Sequence, residues 1–169
     1  MRSAITAEQV IALLNLRPLP VEGGLYAETY RAAEAIPATA LPARYGGGRP
    51  HGTAIYYMLT PETCSRLHRL RTDEVWHFYL GDPVDLLMLL PQGGGQIVRI
   101  GTDLPAGQRP QVVVPHGVWM GARLQPEGCF ALLGTTMAPG FGPADFELGE
   151  RAALLPAYPQ FAEWITALT

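Results

Sequence analysis

Ser65-Arg66-Leu67-His68-Arg69-Leu70-Arg71-Thr72-Asp73-Glu74-Val75-Trp76-His77-Phe78-Tyr79-Leu80-Gly81 is the densest chemistry in the chain. It gathers two histidines, two carboxylates and three arginines beside Trp76, Phe78 and Tyr79. Successive side chains of a strand point to opposite faces, so Glu74, Trp76 and Phe78 share one side and Val75, His77 and Tyr79 the other. Thr72-Asp73 reads as a turn, which lets His68 face Glu74 across a hairpin.

Outward from this stretch the chain reads as a series of strands. Short apolar or aromatic runs fall at 52–59, 75–80, 84–90, 96–100, 111–114, 118–124 and 130–137. Gly81-Asp82-Pro83, Pro91-Gln92-Gly93-Gly94-Gly95 and Pro126-Glu127-Gly128 separate them as turns. Regular short strands with such breaks predict an all-β sandwich or barrel. A helix is expected at each end. Thr6 and Gln9 form a capping box for one over about 6–15, and Pro159 opens another over about 158–168. In the latter, Phe161, Trp164, Ile165 and Leu168 recur at helical spacing. Residues 35–50, with Gly46-Gly47-Gly48, read as a long surface loop.

Composition removes several chemistries. The chain has 169 residues and a formal net charge of −3, a length that suits one domain. All 12 positive charges are arginine, so no Schiff-base or P-loop lysine exists. Serine occurs only at Ser3 and Ser65, which argues against a serine nucleophile. Cys64 and Cys129 fit neither a disulfide framework nor a zinc ribbon. The isoelectric point near 5.8 gives no electrostatic footprint for nucleic acid. No apolar run approaches the roughly 20 residues of a membrane span, and no secretory core opens the chain. The expectation is a cytoplasmic protein with neither nucleic acid nor membrane as partner. Arg66, Arg69 and Arg71, clustered around His68, suit a small anion.

His68, Glu74 and Gly81 resemble the first motif of the cupin superfamily, and Val114-Pro115-His116-Gly117-Val118-Trp119-Met120 resembles the second. A closer resemblance is to a small family of cupins of unknown function. It rests on Glu22-Gly23-Gly24-Leu25-Tyr26-Ala27-Glu28-Thr29-Tyr30-Arg31, with Ala138-Pro139-Gly140-Phe141 and Asp145-Phe146-Glu147 further on. The matching stretches run over about residues 5–160. The resemblance implies an all-β double-stranded β-helix, the cupin jelly-roll barrel, as one domain with its core at about 20–150 and short terminal helices. It also implies a homodimer, to which the aromatic N-terminal segment would add a strand.

Departures from the family pattern set the expected chemistry. A metal-binding cupin supplies an H-x-H pair, a glutamate and a third histidine from the second motif. Here Arg66 stands two before His68, Leu70 two after, and Met120 occupies the second-motif position. No cofactor is predicted and a divalent metal is disfavoured; if one were held, His68 and Glu74 would be its ligands. Metal-free sugar-nucleotide epimerases of the superfamily use a histidine base and a tyrosine acid. By that analogy His68 is the base, Glu74 or Asp73 holds its tautomer, and Tyr57 or Tyr79 is the acid. Arg66 or Arg69 would then hold an anionic group, and Trp76, Phe78, Trp119 and Met120 would wall the pocket. The expected partner is a small polar ligand, anionic or carbohydrate-like, with epimerase- or isomerase-like acid–base chemistry. Two alternatives stand beside it: a metal-dependent enzyme using His68 and Glu74, and a non-catalytic binding or assembly module. His68 and Glu74 could equally form an ion pair that only stiffens the pocket. Trp76 and Trp119 could be core, His77 structural, and His51 and His116 surface residues. Glu22-Gly23-Gly24 reads as a tight turn, and Glu28 and Tyr30 either pair on a strand face or border the pocket.

Overall fold

Thr6 caps the first helix as expected. Its hydroxyl accepts from the Gln9 backbone at 3.3 Å, and the Gln9 side chain accepts from the Thr6 amide at 3.0 Å. The computed structural model describes residues 5–169. Helix α1 spans Ala7–Leu14 and stops at Asn15, whose left-handed φ of 52° ends the turn. Strands β1 (Arg17–Pro18), β2 (Leu25–Arg31), β5 (Thr53–Leu59), β12 (Ala131–Met137), β7 (Glu74–Gly81) and β10 (Gln111–Val114) form one sheet in that spatial order. The facing sheet runs β13 (Glu147–Leu148), β6 (Cys64–Arg69), β11 (Trp119–Leu124), β8 (Val84–Leu89) and β9 (Gly95–Ile100). Every pairing within both sheets is antiparallel, and the fold is the expected all-β jelly roll.

Three apolar clusters hold it together. Between the sheets lie Tyr57, Trp76, Leu86, Met88, Met120 and Leu133 with their neighbours. Helix α1 covers the outer face of the first sheet, where Val10 meets Met58, Phe130 and Leu132. Helices α2 (Arg151–Ala157) and α3 (Ala162–Ala167) cover the second, packing Leu154, Ile165 and Leu168 on Leu67, Leu87 and Leu89. This double cover explains β8, whose six residues are all buried and whose sequence is an unbroken apolar run apart from Asp85.

The structure corrects two readings, the single C-terminal helix and the 35–50 surface loop, and adds two strand pairings. The C-terminal end carries two helices, because a 3-10 turn at Pro159–Phe161 breaks the expected one. Strand β2 pairs with β5 of its own chain. The 35–50 segment is anchored: β3 (Ala35–Ile36) pairs with β4 (Arg49–Pro50), and the buried Arg49 grips Asp145. Strand β6, hidden in the sequence by its charges, holds one extra residue against β11. Met120 faces His68 while Ala122 faces Ser65. Such a bulge brings both Ser65 and His68, an odd number of positions apart, to the same neighbour, Glu22. The bulge's backbone is satisfied from outside, Arg66 N by Glu22 O and Leu67 N by Leu168 O.

Candidate functional site

A cavity of about 220 Å³ opens at the end of the barrel where β7 begins and β12 finishes. Glu74 lines it together with Glu22, Tyr26, Thr135, Phe141 and Phe146. Tyr57 and Trp76, packed edge to face at 5.7 Å, close the barrel beneath it. At the cavity's edge Arg31 chelates Glu28 and donates to Phe141 O at 3.0 Å.

Glu74 is the first residue of β7, and its alternation with Trp76 turns both inward. It is 7% exposed, and burial pushes its pKa up to about 7. His68 opposes that rise, Glu22 adds to it, and the Thr135 hydroxyl and Trp76 indole favour the ionised form. The Trp76 Nε1–H donates to Glu74 Oε2 at 2.9 Å. A carboxyl poised near neutrality can act as acid or base without a second tuning group.

His68 is only 1% exposed and stacks on Phe146 with ring centroids 5.1 Å apart. The Arg66 carbonyl lies 2.7 Å from its Nδ1. A carbonyl can only accept, so Nδ1 carries the proton and Nε2 faces Glu22 Oε2 at 3.9 Å. The backbone, not Glu74 or Asp73, therefore sets the tautomer. Asp73 is at the surface, where it accepts from His116 N at 2.8 Å and Nδ1 at 2.9 Å. Glu22 also accepts from Ser65 Oγ at 2.9 Å. Tyr57 donates to Gly23 O at 3.0 Å, and burial followed by Glu22 drives its phenol well above the ordinary range.

Of the residues singled out in the sequence, Glu74, His68, Trp76, Tyr57 and Met120 gather at or just behind the cavity, and Glu28 borders it. The others do not. Tyr79 is half exposed on the outer face, stacked with His77 and edge-on to Tyr56. Arg69 clasps Glu147 and lies over Trp119, which packs with the C-terminal helices outside the barrel. Arg66 turns to Val21 O at 3.3 Å. Phe78 packs on the barrel core beyond Trp76, off the cavity lining. Sequence reasoning missed Glu22, Tyr26, Arg31, Thr135, Phe141 and Phe146. Its one available signal was that five of these six fall in or next to the stretches 22–31, 138–141 and 145–147.

The donor set does not fit a resident metal. Met120 is buried in the barrel core opposite His68. Among the described residues no three His, Cys, Asp or Glu side chains are grouped to hold an ion.

The chain matches the family described as "Cupin superfamily (DUF985)" over residues 8–149. It belongs to that family. This cupin is 35% identical to protein SO0799 from Shewanella oneidensis, covering 98% of each chain with a TM-score of 0.86. It is 33% identical to a hypothetical protein from Leishmania major, covering 98% of this chain and 99% of that one, with a TM-score of 0.87. The uncharacterized protein YML079W of Saccharomyces cerevisiae is 29% identical over 75% of this chain, and the match spans 65% of the yeast protein. Bacillus subtilis oxalate decarboxylase shares the fold alone, at 14% identity and a TM-score of 0.53 over 92% of this chain and 38% of that one. Among the described residues no helix is long and apolar enough to cross a membrane.

Proposed function

We propose that the cavity binds a small, neutral, hydroxyl-rich ligand of carbohydrate type and that Glu74 moves a proton on it, in isomerase- or epimerase-like chemistry. The observation that carries this reading is one buried carboxyl, Glu74, facing a cavity whose one lining arginine among the described residues, Arg31, is paired with Glu28. Two carboxyls there repel an anion, and Arg31 at the edge is already chelated by Glu28. A carbohydrate-like ligand is therefore favoured over an anionic one. The volume lies below the roughly 300–1,000 Å³ of pockets for drug-sized ligands, which suits a single sugar ring. The base role moves from His68 to Glu74, because His68 meets Glu22 and does not line the cavity. The His68–Glu22 contact holds the neighbouring carboxyl, and Tyr26 and Thr135 supply hydroxyls for orientation.

The test is a panel of neutral aldoses and ketoses screened by thermal shift, followed by proton NMR in D2O. Wild-type protein should bind at least one sugar and exchange the hydrogen next to its carbonyl. Glu74→Gln should retain binding within a few fold and lose the exchange. Binding without exchange in the wild type would leave a non-catalytic module, and no binding by any sugar would sink the reading. Half-exposed Tyr79 and Val113, on the outer face of the first sheet, support the expected homodimer. A single monomeric species in sedimentation at high concentration would refute it.

A further inference from the structure

Leu70 and Phe146 are a shared wall. One side lines the cavity, and the other lines a separate surface groove of about 370 Å³ whose further lining includes Arg44, Arg69, Arg71 and His116. We propose that this groove binds an oxyanion group, a phosphate or a carboxylate, through Arg44 and Arg71.

Positive charge is left over around this groove. Each carboxylate around the groove is already committed. Glu147 is chelated by Arg69 with two bonds of 2.9 Å. Asp145 is chelated by Arg49, and Asp73 accepts twice from His116. Asp73 lies near enough to Arg44 for that charge to help lower the Asp73 pKa, but it spends its hydrogen bonds on His116. Among the described residues neither Arg44 nor Arg71 forms a salt bridge. Their guanidiniums instead brace each other's backbone: Arg44 Nε donates to Arg71 O at 3.0 Å and Arg71 Nη1 donates to Arg44 O at 3.0 Å. Arg44 also rests over the Tyr45 ring at 4.8 Å and reaches its hydroxyl at 3.5 Å.

Neutral acceptors fix where a guanidinium stands without cancelling its charge. Each of the two keeps further N–H groups free, in the planar fork that matches a phosphate or carboxylate edge. Ordering two long side chains is usually a cost of anion binding; here the reciprocal braces have already met it. Both arginines are exposed, so the attraction is screened by salt and the affinity is that of an open site. The inference does not rest on the cavity's ligand. It concerns different side chains on the other side of Phe146.

Inorganic phosphate is the probe, titrated into the full chain against sodium chloride of equal ionic strength, with arginine Nε–H resonances followed by NMR. Saturable shifts confined to Arg44 and Arg71 are expected with phosphate and absent with chloride. Affinity should fall at least tenfold in the Arg44→Gln/Arg71→Gln double variant and hold in Arg109→Gln, an exposed arginine elsewhere. Should the double variant lose its fold, Arg71→Lys keeps the charge, loses the fork, and should weaken binding severalfold. A parallel titration with glucose 6-phosphate separates the two sources of the anion. Equal affinity identifies a site for the free ion, and tighter binding identifies the phosphoryl end of a larger ligand. Linear, unsaturable shifts would overturn the proposal, as would undiminished binding in the double variant.

Discussion

Asp145 and Glu74 are both buried acids within one protein, and their surroundings are opposite. The Asp145 carboxylate, fully shielded, receives two bonds from Arg49 at 2.8 and 2.5 Å and a third from Gly142 N at 3.1 Å. Arg49 spends its remaining N–H groups on the carbonyls of Tyr45, Gly47 and Gly48. Every polar atom in that cluster is answered, and what it holds is geometry: it ties the 43–50 segment to the one carrying Phe141 and Phe146. Glu74 has an indole N–H, a threonine hydroxyl and a histidine behind a second glutamate, but, among the described residues, no arginine. A saturated charge fixes a structure, and an under-compensated one keeps a proton that can move.

The largest effect should come from breaking the saturated side. Arg49→Met leaves Asp145 buried and unpaired, which costs about 3–5 kcal/mol and lowers the melting temperature by roughly 10 °C for a chain of this size. Adding Asp145→Leu should recover part of that loss, since the penalty belongs to the orphaned charge. A single-variant cost below about 1 kcal/mol in urea denaturation would show that the roof of the cavity is held by something else.

Glu74→Gln should act in the reverse direction. The folded protein raises this carboxyl from 4.5 to about 7, so it binds its proton more tightly folded than unfolded. Its contribution is therefore full below pH 4.5 and is lost as pH climbs to 7. The glutamine variant escapes that loss. It should match wild type at pH 4.5 and exceed it by about 3 kcal/mol at pH 8. Parallel denaturation curves at the two pH values would show the gap; a constant difference would place Glu74 among the saturated groups.

Much of this contrast was legible in the chain, in unequal parts. Alternation through Glu74, Trp76 and Phe78 turned the right residues inward. It also placed Tyr79 on the other face, and analogy to a tyrosine acid overrode that parity. Strand β6 escaped notice because Arg66, His68 and Arg69 conceal its apolar positions and its bulge breaks the period of two. Glu22 read as part of a turn, which it is: Gly23 and Gly24 follow it with φ of 97° and 70°. That turn carries its carboxylate to Ser65 and His68, 43 and 46 positions away, a pairing that local pattern cannot show. The Arg49–Asp145 cluster was invisible for the same reason, its partners lying 96 residues apart.

Trp76→Phe sharpens the comparison on the unsaturated side. It removes the Nε1–H that favours the Glu74 carboxylate, so Glu74 should titrate above pH 7 in carbon-13 NMR. The stability cost should be about 1–2 kcal/mol from the lost bond and the smaller ring. An unchanged titration would mean that the indole only fills space.

Tyr79→Phe should do least, and its silence is informative. The phenol stands on the outer face, stacked on His77 at 6.3 Å and edge-on to Tyr56 at 6.0 Å. The ring contacts survive the change, so stability should stay within about 0.5 kcal/mol. Any proton exchange on a bound sugar should proceed at the wild-type rate, because the barrel wall separates this hydroxyl from Glu74. A slowing of about tenfold, or 1.4 kcal/mol of barrier, would require the acid to reach the ligand from outside the sheet. The division between a chemical interior and an inert exterior would then fall.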